Sequence, residues 1–249
     1  MIRLMARSRG SAGNDGRQVK AKSARIPFMA ALVFFLGAAS GLTQVKTGTV
    51  PLDALAELKP RNAKTEIVTY KDRPALRVTD TAPASVGDGE RLVILSKTEF
   101  QDGVIEVDLT GEPGPGAAAG ARGFVGMAFR IAPDASKFEC FYLRPTNGRA
   151  DDQVRRNHSV QYISFPDFPW QRLRQEFPEK YESYVDLLPG EWTKVKIEVR
   201  GEQARLYIHG AAQPTLLVND LKLGRTKGAV ALFIGPGTVA HFSNLRLTQ

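Results

Sequence analysis

Gly103-Val104-Ile105-Glu106-Val107-Asp108-Leu109-Thr110 is the stretch whose pattern decides the fold. In an extended chain Ile105, Val107 and Leu109 fall on one side, and Glu106, Asp108 and Thr110 on the other. Strict period two over this length predicts a strand with one buried and one solvated face.

Outward from it the same signal returns. Upstream, 66–70, 75–79 and 91–95 read as strands between turn-rich gaps. Downstream, 111–121 holds Pro113, Pro115 and many Gly and Ala residues, which predicts a hairpin tip. Next, 123–131 alternates, with Met127, Phe129 and Ile131 opposite Ala128 and Arg130. The run 137–144 is apolar on both faces and predicts a central strand. After a polar stretch, 145–156, comes a strand at 158–165. A loop over 166–178 carries three prolines and Trp170, with a short helix expected over 170–176. Strands at 182–187, 192–200, 204–209, 215–218, 229–234 and 240–247 complete the set. Short strands at this spacing predict an all-β sandwich or barrel. A propeller is disfavoured, because its blade repeat is missing.

The chain has 249 residues, 24% charged and 43% hydrophobic, which is ordinary for a folded protein. Its net charge of +8 is unevenly spread. Residues 1–41 hold seven basic groups and one acidic group; the remainder holds 27 and 25. A nearly neutral body gives no support for nucleic acid as a partner. The leader has a basic stretch ending at Arg25, an apolar run over 26–39 and small residues through Gly41. That order predicts a secretory signal, with Ala38-x-Ser40 or Ala39-x-Gly41 as cleavage site. The rival reading is an uncleaved membrane anchor over residues 26–42, although the run is shorter than the roughly 20 apolar residues a span wants. The expected location is secreted or periplasmic, or membrane-anchored on the rival reading. Residues 42–62 read as a linker with a helical turn near 52–58, and 63–249 as the sandwich domain.

In the last third, Pro189-Gly190-Glu191-Trp192-Thr193-Lys194-Val195-Lys196-Ile197-Glu198-Val199 precedes Ala204-Arg205-Leu206-Tyr207-Ile208-His209-Gly210. The chain closes with Gly228-Ala229-Val230-Ala231-Leu232-Phe233 and Ala240-His241-Phe242-Ser243-Asn244-Leu245-Arg246-Leu247. This part resembles the concanavalin A-like lectin/glucanase superfamily, and within it is most similar to the 3-keto-disaccharide hydrolase family. The resemblance spans about residues 90–249. It implies a jelly-roll β-sandwich of two antiparallel sheets and a carbohydrate ligand, with glycoside hydrolysis as one activity the family carries. Trp192, large and apolar at a strand start, is expected to anchor one sheet on the other.

Several chemistries are excluded. One cysteine, Cys140, permits no intramolecular disulfide and no multi-cysteine metal site. With three histidines there is no H-E-x-x-H, and no G-x-S-x-G is present. Glucanases of the superfamily carry E-x-D-x-E on a strand, but here Glu106-Val107-Asp108-Leu109-Thr110 lacks the last carboxylate. Glu106 and Asp108 then read as a solvated sheet face. Glu139 sits among apolar residues, so it is either in an ion pair, with Arg130 as the candidate partner, or a raised-pKa acid.

The segment 144–186 is rich in arginine, carboxylates and aromatics, the side chains that hydrogen-bond sugar hydroxyls and stack on sugar rings. Candidate substrate-binding residues are Arg130, Arg144, Asn147, Arg149, Arg156, His158, Gln161, Tyr162, Trp170 and Tyr181. Glu139 and Glu182 are the candidate catalytic carboxylates, with Asp151 and Asp152 as further possibilities. Asp151 and Asp152 could alternatively ligate calcium, though without calcium-loop spacing; otherwise no cofactor is expected. Three readings stay open: a glycoside hydrolase, a carbohydrate-binding module stacking sugars on Trp170 and Tyr181, and a protein-interaction domain.

Overall fold

The structure, a computed structural model, describes residues 47–249 apart from 84 and 88; the leader lies outside the described residues. The alternating segments form strands. In chain order these are β1 (Thr47–Thr49), β2 (Leu58–Arg61), β3 (Ala63–Tyr70), β4 (Arg73–Asp80), β5 (Leu92–Phe100), β6 (Gly103–Pro113), β7 (Val125–Ile131) and β8 (Phe138–Leu143). There follow β9 (Val160–Phe165), β10 (Glu182–Ser183), β11 (Thr193–Arg200), β12 (Gln203–Ile208), β13 (Leu216–Val218), β14 (Gly228–Ile234) and β15 (Thr238–Thr248). The two helices are α1 (Gln153–Asn157) and α2 (Trp170–Glu176).

The strands make two antiparallel sheets, the jelly-roll sandwich that the resemblance implies. One runs β13-β12-β11-β6-β15-β4-β3, with β1 added on β15. The other runs β10-β9-β8-β7-β14-β5-β2. Ile105, Val107 and Leu109 of β6 are buried, as period two requires. Asp108 lies on the outer face of the eight-stranded sheet, bound by Arg73 at 2.8 Å and by the Asn244 amide at 2.7 Å. Glu106 shares its face, so the incomplete carboxylate motif belongs to that half-exposed surface.

The inner face of the seven-stranded sheet shows why the core is specific. Val93, Leu232, Met127, Phe141 and Tyr162 stand in register across β5, β14, β7, β8 and β9. All five are buried within one continuous hydrophobic cluster. Each such side chain contributes about 1.5–3 kcal/mol by leaving water.

Two expectations change. The described part of the stretch 42–62, from Thr47 on, is not a plain linker: β1 pairs with β15, and β2 pairs with β5 with Leu58 buried. Both strands are too short for period two to show, and Pro60 suits an edge strand because it has no N–H to offer. Trp192 does not bridge the sheets. It lies half-buried with its ring edge on Tyr70, at a centroid distance of 5.9 Å, and under the Arg73 guanidinium. Its neighbour Thr193 takes the inward position opposite Leu109, so alternation turns Trp192 outward.

Candidate functional site

One residue along from the core row, a second row points to the other face of the seven-stranded sheet. Leu92, Phe233, Gly126, Tyr142, Gln161 and Glu182 are in register across β5, β14, β7, β8, β9 and β10. Gly126 is required there, because a Cβ would lie 2.1 Å from the Phe141 carbonyl oxygen.

Over this row lies a cleft with two halves. The apolar half, about 680 Å³, is lined by Tyr142, Ile163, Phe165, Trp170 and Phe233, with Gly87 and Gly89 at its side. The polar half, about 810 Å³, is lined by Arg91, Arg122, Arg144, Asn147, Arg155, His158 and Arg174. Phe124, Trp170 and Pro236 line both, so the two are continuous.

Local sequence builds the walls. Trp170, Leu173 and Phe177 recur at helical spacing, and the buried Leu173 seats α2 on the sheet. Asp152 caps α1 by accepting from the Arg155 backbone N–H at 2.8 Å. The His158 carbonyl accepts from both Arg144 and Asn147, at 2.8 and 3.2 Å, which ties the end of α1 to the turn at Pro145–Asn147.

Arg144 is the hub. It is buried, and its guanidinium donates to Glu182 at 3.3 Å, the Tyr142 hydroxyl at 3.0 Å and the Gln161 carbonyl at 2.9 Å. Those three acceptors belong to the outward row, so strand register assembles the network. The rings of Tyr142, Phe124 and Trp170 surround the same guanidinium at 5.0, 5.9 and 5.9 Å. Arg174 grips Glu182 through two nitrogens and lies 4.7 Å from the Trp170 ring centroid. His158 approaches Glu182 at 3.6 Å. Burial pushes the His158 pKa down against the pull of Glu182, and Arg174 and Arg144 lower it further.

The structure therefore brings together Arg144, Asn147, His158 and Trp170 in the cleft wall, with Gln161 and Glu182 directly behind Arg144. The other candidates lie elsewhere. Glu139 is on the core side, fully buried, accepting from the Tyr162 hydroxyl at 2.6 Å and the Leu223 N–H at 2.7 Å. Burial raises its pKa, and those hydrogen bonds oppose the rise. Alternation explains the placement: Glu139 shares a face with Phe141, not with Tyr142. Its expected pairing with Arg130 is replaced. Arg130, in a left-handed conformation at φ 54°, instead binds Asp102 and the carbonyls of Gln101, Gly201 and Gly224.

Tyr162 faces the core, and Tyr181 is buried with its hydroxyl on Asp220 at 2.7 Å, so neither offers a stacking surface. Burial and that hydrogen bond push the Tyr181 pKa up to about 12. Arg149 and Arg156 are bound to Asp186 and to the Tyr184 hydroxyl, outside the cleft lining. Asp152 serves as the helix cap, and no cluster of three His, Cys, Asp or Glu able to hold a metal ion is found among the described residues.

Sequence reasoning missed Arg91, Arg122, Phe124 and Tyr142. The parity of β8 was the signal for Tyr142. Arg91 is fixed to Asp80 at 2.7 Å across the β4–β5 connection, a pair that no strand or helix period reveals.

No family model matches this chain. No curated protein matches it either. Among solved structures, it is similar to the carbohydrate binding module CBM66 from Bacillus subtilis, with 14% identity and a TM-score of 0.52. That match covers 77% of this chain and 95% of the other. It is also similar to a protein of unknown function with a galectin-like fold from Bacillus subtilis, with 13% identity and a TM-score of 0.53. Here the coverage is 82% of this chain and 98% of the other. At such identities the likeness establishes one thing: this chain has the two-sheet β-sandwich fold of those proteins.

Proposed function

We propose that the protein binds a carbohydrate in the cleft on the outer face of the seven-stranded sheet. The observation that carries this reading is the continuity of an aromatic wall with a polar one, hinged on Trp170. A sugar ring has apolar C–H faces and polar edges, and such a cleft satisfies both at once. The similar carbohydrate binding module supports it. Export, read from the order of the leader, is part of the same proposal.

Binding without turnover is favoured. Among the described residues Asp80 is the one carboxylate lining the cleft, and it is committed to Arg91 and to the Gly237 and Ala82 N–H groups. A hydrolase of the 3-keto-disaccharide type would have to draw its acid from Glu182, which is held by two arginines. The test is a thermal-shift screen of the purified protein over oligosaccharides and 3-keto sugars, with a parallel assay for released reducing sugar. A saccharide that binds the folded state raises the midpoint. Trp170→Ala is expected to weaken its binding at least about fivefold. Turnover that is lost in Glu182→Gln would replace the binding reading by the hydrolytic one.

A further inference from the structure

The polar half of the cleft carries more positive charge than a neutral sugar can use. Among the described residues, five arginines line it, and two carboxylates serve them: Asp80 on Arg91, and Glu182 shared by Arg144 and Arg174. Among the described residues, the Arg122 side chain donates only to the backbone carbonyls of Ala119 and Ala121. Arg155 is exposed, and among the described residues its guanidinium has no ion pair. Burial lowers the Arg122 pKa, and the nearness of Arg155 and Arg144 lowers it further, the signature of like charges facing one another. Holding unpaired guanidiniums together is costly unless an anion joins them.

We propose that the ligand is an acidic saccharide, a sugar bearing a carboxylate or sulfate ester. Its anionic group sits among Arg122, Arg155 and Arg174, and its ring lies toward Trp170 and Phe124. This rests on the carbohydrate reading above and narrows it to a substrate class. Planar guanidiniums suit both anions, since each presents paired oxygens to a two-pronged donor.

The experiment is a glycan array of neutral, carboxylated and sulfated oligosaccharides probed with the full chain. Calorimetry follows on the best acidic binder, its neutral counterpart and inorganic sulfate alone. The expected result is affinity at least about tenfold higher for the acidic glycan than for its neutral counterpart, falling as salt rises. Arg155→Gln should lose about tenfold in that affinity with an unchanged melting midpoint, because Arg155 makes no ion pair among the described residues. The array signals separate carboxylate from sulfate ester. Equal binding of neutral and acidic glycans would overturn this inference and leave the carbohydrate reading intact. Binding of inorganic sulfate with no acidic preference among glycans would overturn it as well. Binding of no glycan at all would overturn both.

Discussion

His241 is a single side chain with a measurable pH signature. It is buried on β15, stacked on Tyr70 at 3.7 Å between ring centroids, with Nδ1 3.2 Å from the Thr110 hydroxyl. Burial, with Arg77 nearby, brings its pKa down to about 4. The unfolded chain takes up this proton near pH 6.5, and the folded chain does so only near 4. Between those values the unfolded state binds more protons, so this contribution to stability falls as pH falls and levels off below about 4. The full effect is roughly 3 kcal/mol. Denaturant unfolding of wild type and His241→Gln at several pH values checks it: the wild type should lose more stability across that window. Equal pH slopes would show that His241 titrates normally.

At the scale of elements, β7 leaves little room for change. A methyl group at Gly126 would meet the Phe141 carbonyl oxygen at 2.1 Å and the Tyr142 Cα at 2.6 Å. Backbone cannot yield there without parting β7 from β8. Gly126→Ala is expected to cost about 1–3 kcal/mol, read as a lower denaturation midpoint. The elements that sequence revealed are those with a strong period. Alternation exposes β6, the double-sided apolar run marks β8 as internal, and the spacing of Trp170, Leu173 and Phe177 marks α2. What stayed hidden was short or non-local. Strands β1 and β2 exist because β15 and β5 offer them unpaired edges, which no window of three or four residues records.

For the whole molecule, the site is a product of topology. The polar half of the cleft takes residues from the connections β4–β5, β6–β7, β8–β9, β9–β10 and β14–β15. Arg144, Asn147, His158 and Trp170 were legible because one stretch of chain holds them all. Arg91 and Arg122 were not, because only the strand order brings their loops to the same end. A continuous core also predicts how the molecule unfolds. Its two tryptophans report different places, Trp170 on the cleft and Trp192 on the outer face of the other sheet. Single-tryptophan variants, Trp170→Phe and Trp192→Phe, should give the same urea midpoint after correction for each substitution, because one cluster couples both sheets. Separate transitions would show that the sheets melt independently.

Cys140 lies on the cleft-side face of β8, fully buried, and burial pushes its thiol well above the usual range. A protonated, enclosed sulfur reacts slowly with maleimides and oxidants. The native protein is thus chemically silent to thiol reagents although it contains a cysteine. A second cysteine introduced at exposed Val154, on α1 beside the cleft, would be labelled alone. An environment-sensitive dye attached there would turn the molecule into a reagentless optical sensor for whatever enters the cleft.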